Sequence, residues 1–161
     1  MTERAKITPC LWFDGNAEEA VEFYLSVFKS GRIRDVARFG EVGPGKPGSV
    51  MVIDFEIAGQ QLRALNGGPD FKFNEAISLS IDCKTQAEVD ELWSKLTADG
   101  GSESQCGWLK DKFGLSWQIV PSDAVALLKG SDRAGAKRAM EAIHKMKKLD
   151  IATLQRAYDG K

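Results

Sequence analysis

Residues 7–24 read ITPCLWFDGNAEEAVEFY, and residues 76–93 read AISLSIDCKTQAEVDELW. Each stretch opens on a short strand-like run, crosses a polar turn and enters an amphipathic helix that a glycine follows. A shift of 69 residues lays Glu22, Phe23 and Tyr24 over Glu91, Leu92 and Trp93, so the helices match in position as well as in kind. A strand and helix unit that occurs twice predicts a pseudo-twofold α+β sheet structure with a cleft between its halves.

The first helix is expected from Asn16 as N-cap with Glu19 three residues on, and from an apolar stripe of Ala17, Ala20, Val21, Tyr24, Leu25 and Phe28 ending near Ser30 and Gly31. The second repeats the design with Thr85 and Glu88 as a capping box, Val89, Leu92, Trp93 and Leu96 as its stripe, and Gly100 with Gly101 as its stop. Between them the period changes to two. Met51, Ile53, Phe55 and Ile57 share one face of a strand, and Val50, Val52, Asp54 and Glu56 share the other. Gly59 turns this strand into 60–66, so 49–66 reads as a hairpin, preceded by a strand over 33–40 and a loop over 41–48. The second copy has a strand on Ile77, Leu79 and Ile81 and another over 115–120. Only residues 101–121 follow its helix, which predicts one shortened strand.

Beyond Pro121 the composition changes. Residues 121–161 carry nine Lys and Arg against five Asp and Glu, while the rest of the chain carries 13 against 18. Ser122 or Asp123 is expected to cap a short helix through Leu128. Ser131 or Asp132 would cap a longer one carrying Ala136, Met140, Ile143 and Met146, and Asp150 a last one over 151–158 with Leu154 and Tyr158 inward. The organisation expected is 1–121 as paired modules, 6–67 and 75–121, with 122–161 as a helical extension on the same domain or on a second subunit.

At 161 residues, 43% apolar and 28% charged, the chain suits one compact domain without a membrane span, and the polar start MTERAKITP does not read as a signal peptide. A cytoplasmic location is expected. Cys10, Cys83 and Cys106 are odd in number and widely spaced, which predicts reduced, mostly buried thiols rather than a disulfide framework or a zinc ribbon. His144, the sole histidine, sits among Lys145, Lys147 and Lys148 and reads as a surface residue. Residues 40–47, GEVGPGKP, approach a phosphate-binding loop but place Pro47 where Ser or Thr must meet magnesium, so they read as a hairpin loop.

Three segments carry a resemblance: ITPCLWFDGNAEEAVEFY, ALNGGPDFKFNEAISL over 64–79, and CGWLKDKFGLSWQIVP over 106–121. Together with the repeat they resemble the vicinal oxygen chelate superfamily of glyoxalase I, bleomycin-resistance proteins and extradiol dioxygenases, and within it the PhnB-like branch, whose domain is often labelled 3-demethylubiquinone-9 3-methyltransferase. The resemblance implies two βαβββ modules curling a mixed sheet into a U-shaped cleft, helices outside, and a homodimer. It also implies four metal ligands, which fall at Thr8 or Pro9, Asp54, Ala76 and Gln118. Proline and alanine cannot ligate and threonine ligates zinc or nickel poorly, so no conventional metal site is expected. The methyltransferase label has no Gly-rich turn between a strand and a helix to support it.

What remains as a candidate site combines Cys10, Trp12, Ser78 and Gln118 with Phe71, Phe73 and Glu75 of the connector and with Trp108, Lys110 and Asp111 of a later turn. Trp117 reads as core packing. Asp54 and Glu56 are the candidate catalytic groups, because two carboxylates on one face can raise one another's pKa and supply a general base. The leading reading is a protein that encloses a small organic molecule, with no cofactor, nucleic acid or membrane partner. The alternatives are a glyoxalase-type lyase, isomerase or dioxygenase using a divalent metal on Asp54, Glu56 and Gln118, and an interaction module whose basic tail, 132–161, binds a partner.

Overall fold

A computed structural model describes residues 5–161; residues 1–4, the start of the expected 1–121 segment, lie outside the described residues. The chain divides into two compact units at Lys72 and Phe73. The first contains β1 (Cys10–Phe13), α1 (Ala17–Val27), β2 (Gly31–Arg38), β3 (Val50–Ile57) and β4 (Gln60–Asn66). The second contains β5 (Ser78–Asp82), α2 (Gln86–Thr97), β6 (Ser102–Glu103), β7 (Trp108–Lys110) and β8 (Ser116–Val120), followed by α3 (Ser122–Val125), α4 (Arg133–Ile143) and α5 (Ile151–Asp159). Each unit holds a four-stranded mixed sheet, in the orders β1-β4-β3-β2 and β5-β8-β7-β6. β1 runs parallel to β4 and β5 to β8, while the other pairs are antiparallel. The repeat is thus a repeat of topology, βαβββ twice; one shortened strand is expected in the second copy, and two are short, β6 and β7, of two and three residues.

In the first unit α1 buries Ala17, Ala20, Val21, Tyr24 and Val27 on β3 and β4, whose Ile53, Phe55, Leu62 and Ala64 are buried as well. Val27 takes the place expected of Leu25 and Phe28, because Phe28 is already extended and off the helical face. Asn16 makes no side-chain cap. Instead the Ala17 N–H donates to Asn66 Oδ1 at 2.9 Å, so β4 caps the helix that packs on it. Nor does glycine stop α1. Gly31 is the first residue of β2, where a Cβ would lie 2.8 Å from the Glu56 carbonyl oxygen.

The alternation along β3 is interrupted. Ala37 pairs with Val52 and Arg38 with Val50, which leaves Met51 without a counterpart, and a second shift leaves Arg34 of β2 likewise. These bulges flip the side-chain parity. Val50 is therefore buried and Met51 only half-buried, contrary to strict alternation, while Ile53, Phe55 and Ile57 keep their expected inward face.

In the second unit α2 buries Val89, Leu92, Trp93 and Leu96 as its spacing predicts. Thr85 Oγ1 accepts from the Glu88 N–H at 3.2 Å, and the Glu88 carboxylate accepts from the Lys84 N–H at 2.8 Å, one residue earlier than a standard capping box. The helix ends at Thr97, not at the glycine pair, and Asp99 rather than glycine is the first residue of the turn with positive φ, at 55°.

The tail packs on this same unit. Ile143, Leu149 and Leu154 form a buried cluster with Cys106, Val125, Leu128 and Met146 around it, and the Cys106 and Gly107 N–H groups donate to the Met146 and Lys147 carbonyls at 2.8 and 2.7 Å. Asp132 and Asp150 cap α4 and α5 as expected. α3 has Pro121 at its N-cap with no side-chain cap, since Ser122 Oγ donates to Asp82 instead. The inward face of α4 is Gly135, Ala139 and Ile143, and Met140 is exposed. Of the thiols only Cys83 is buried, at 1% exposure, where burial with help from Glu88 and Asp82 pushes it up to about 12. Cys106 is half-buried and Cys10 is exposed. Among the described residues no helix is long and apolar enough to cross a membrane.

Candidate functional site

The face of the first sheet opposite α1 carries the polar side chains. Register sets them in rungs: Cys10 of β1 lies opposite Arg63 of β4, Arg63 opposite Asp54 of β3, and Asp54 opposite Asp35 of β2. The next rung toward the C-terminus of β1 is Trp12, Leu65, Val52 and Ala37. Cys10 and Trp12 therefore share the face of Asp54, while Leu11 and Phe13 go to the core.

Trp12 is held on three sides. Its indole N–H donates to the Gly68 carbonyl at 2.8 Å, and Phe71 meets it edge-on with centroids 4.9 Å apart. The indole lies so close to Gly67 that a Cβ there would stand 2.3 Å from the ring. Phe71 itself is 64% exposed. Cys10 is exposed as a residue, yet partial desolvation of its thiol pushes it up, with Arg63 pulling it down and Asp54 adding to the rise.

Asp54 and Glu56 do not form a mutually repelling pair. The Arg63 guanidinium grips Asp54 through both oxygens, at 2.6 and 2.9 Å, and Glu56 lies 3.7 Å from Arg34 and 3.9 Å from Arg32. The Asp54 bond in turn raises the Arg63 pKa. Each carboxylate is thus paired with arginine and not with the other, so the carboxylate pair expected of a general base is not formed. Arg63 was missed in the sequence although a signal for it exists. A two-residue turn at Ala58 and Gly59 pairs Ile57 with Gln60, and counting outward brings Arg63 opposite Asp54. A cavity of about 150 Å³ opens on this face, lined by Thr8, Arg34, Asp35, Asp54 and Gln61 among others.

The second sheet carries the remaining candidates. Gln118 of β8 lies opposite Trp108 of β7 and Ser80 of β5, and its amide donates to Ser78 Oγ at 2.9 Å. Glu75 pairs with Lys110, which holds the Glu75 carboxyl below its usual range. Phe73 is half-buried. Asp111 is buried and accepts from the Phe113 and Leu115 N–H groups and from the Trp117 indole, so both Asp111 and Trp117 belong to the β7–β8 turn and core. The first unit thus holds Cys10, Trp12, Asp54, Glu56 and Phe71, and the second Phe73, Glu75, Ser78, Trp108 and Gln118.

The residues do not fit a divalent ion. Both Asp54 oxygens accept from Arg63, the Gln118 amide nitrogen donates to Ser78, and Ala76 has no side-chain donor atom for a metal. Among the described residues no three His, Cys, Asp or Glu side chains converge. Of the two strand-to-helix turns in the repeat, Asp14–Asn16 has one glycine and Cys83–Thr85 none.

Comparison with known proteins places this geometry. A family model described as 3-demethylubiquinone-9 3-methyltransferase matches residues 5–120. A solved 3-demethylubiquinone-9 3-methyltransferase-type PhnB protein from Bacillus cereus is 37% identical, with 72% of this chain and 98% of that one covered and a TM-score of 0.65. The protein PA1353 from Pseudomonas aeruginosa shares the fold at 23% identity and a TM-score of 0.58, over 72% of this chain and 96% of its own. No curated protein matches this chain.

Proposed function

The chain belongs to the 3-demethylubiquinone-9 3-methyltransferase family, the PhnB-like branch of the vicinal oxygen chelate superfamily, and from that premise we propose that it binds a small organic molecule on the open face of its first sheet, without a conventional metal site. The fixed indole of Trp12 carries this reading. A ring locked by Gly67, Gly68 and Phe71 offers a flat surface with little conformational entropy left to lose on binding. Beside it the Asp54–Arg63 pair presents an acceptor and a donor together. The charges of this face, Asp35, Asp54 and Glu56 against Arg32, Arg34 and Arg63, balance, so a planar molecule with a neutral polar end fits better than the cationic ligand that unpaired carboxylates would favour. The methyl transfer in the family's description has no support from the residues at either strand-to-helix turn.

The test is a screen of planar heterocyclic fragments by amide NMR. Hits should move the Trp12 indole N–H and the Gly67 and Gly68 amides, and Trp12→Ala should weaken them by about tenfold or more while Trp12→Phe weakens them less. Fragments that move only resonances away from Trp12 would remove the basis for the proposal. One divalent ion per chain in native mass spectrometry, lost in Asp54→Ala, would overturn its metal-free part.

A further inference from the structure

The second sheet carries a rung of its own: Ser78 of β5 lies opposite Ser116 of β8, Ser116 opposite Lys110 of β7, and Lys110 opposite Ser102 of β6. It occupies the same strand order as the Cys10, Arg63, Asp54 and Asp35 rung of the first unit, but its polar groups are not mutually satisfied. Ser116 is 1% exposed and its Oγ has no hydrogen-bond partner among the described residues. The adjacent Ser78 hydroxyl accepts from Gln118. A buried hydroxyl left unpaired is costly, and such groups are scarce in folded proteins unless water, an ion or a ligand completes them. Ser116 lies at a cavity of about 180 Å³ whose other polar and aromatic lining is Glu75, Ser102, Glu103, Ser104, Trp108 and Lys110.

We propose that this cavity is a binding site for the carboxylate of a small aromatic acid, with Ser116 Oγ–H and Lys110 Nζ donating to its oxygens and Trp108 flanking its ring. The site lies wholly in the second unit and does not rest on the reading of the first sheet. Ser116 and Lys110 are direct cross-strand neighbours, whose Cβ atoms stand about 4.5–5.5 Å apart, so one carboxylate spans both donors. Lys110 already holds a carboxylate, that of Glu75, whose side chain is 65% exposed. Glu75 is a tethered placeholder for the ligand, and an exposed ion pair of this kind exchanges at little cost. The other acid at the cavity, Glu103, is engaged by the Trp93 indole N–H and by Lys147. The volume is about that of six waters, which limits the occupant to a single ring with its acid group.

Benzoate is the probe, benzamide its neutral counterpart, and amide NMR of the full chain the readout. Benzoate should shift the Lys110 and Ser116 amides and the Trp108 indole N–H, leaving Trp12 unmoved, and should bind at least about tenfold more tightly than benzamide. Lys110→Gln should weaken it about tenfold, and Ser116→Ala several-fold with no loss of thermal stability, since the alanine removes an unpaired hydroxyl. Glu75→Gln should tighten it. Equal binding of benzamide, shifts confined to residues away from this rung, or a Ser116→Ala variant that melts lower yet binds benzoate unchanged would each overturn the site. Because Trp12 reports separately, failure here is distinguishable from failure of the reading for the first sheet.

Discussion

Asp111 gathers three donors on one carboxylate: the Phe113 N–H at 2.8 Å, the Leu115 N–H at 3.1 Å and the Trp117 indole at 2.9 Å. It sits between Lys110 and the strand that begins at Ser116, so it sets how β7 returns into β8 and which side chains meet across them. Its exposure of 2% means that water cannot replace a lost acceptor. Asp111→Asn turns an amide NH₂ toward at least one of these donors. It should cost about 2–4 kcal/mol, seen as a lower urea midpoint at unchanged slope. From the sequence this aspartate reads as a turn residue close to a site. Its acceptor role was not legible, because three donors from residues two to six positions downstream converge only once the turn has closed. Arg63 differs in being legible through one step, the count outward from the two-residue turn at Ala58 and Gly59. Nothing local to RALN marks it as the partner of Asp54, and the pair exists only through the hairpin register.

That register is set by an element with visible strain. The β3–β4 turn has two central residues, Ala58 at φ 47° and Gly59 at φ 81°, and the strands leave it in the tight pairing of Ile57 with Gln60. Both positions need positive φ to match strand twist, and alanine meets this at a steric cost that asparagine largely avoids. Ala58→Asn should therefore stabilise the protein by about 0.5–1 kcal/mol, read as a raised thermal or urea midpoint, without change to the Asp54–Arg63 pairing in NMR spectra. An unchanged or lower midpoint would show that the turn stores no such strain. The two helices of the repeat differ at the same scale. α2 caps itself with Thr85 and Glu88, which sequence alone can show, whereas α1 takes its cap from Asn66, 49 positions from the N–H it serves and invisible to any local motif.

At the scale of the molecule, two units of one strand order are completed differently, the second by its tail. Ile143, Leu149 and Leu154 enter its core, and the Met146 and Lys147 carbonyls receive the Cys106 and Gly107 N–H groups. The basic composition of 121–161 fits an interaction arm equally well, and only packing separates the two. Deletion of 132–161 should abolish slow hydrogen exchange at Leu109, Trp117 and Ile119 while leaving it intact at Ile53 and Phe55; retained protection in β8 would mean that the tail is dispensable. The chain by itself determined the kind and order of the elements of the first unit and of the tail and the inward stripe of α2, and it carried the family resemblance. These properties are written in periods of a few residues and in caps. The tertiary structure alone decided other partnerships: Arg34 with Glu56, and Ser116 beside Lys110 with no hydrogen-bond partner among the described residues. Such partnerships depend on register across strands far apart in the chain, and the bulges at Arg34 and Met51 shift that register by steps that alternation does not encode.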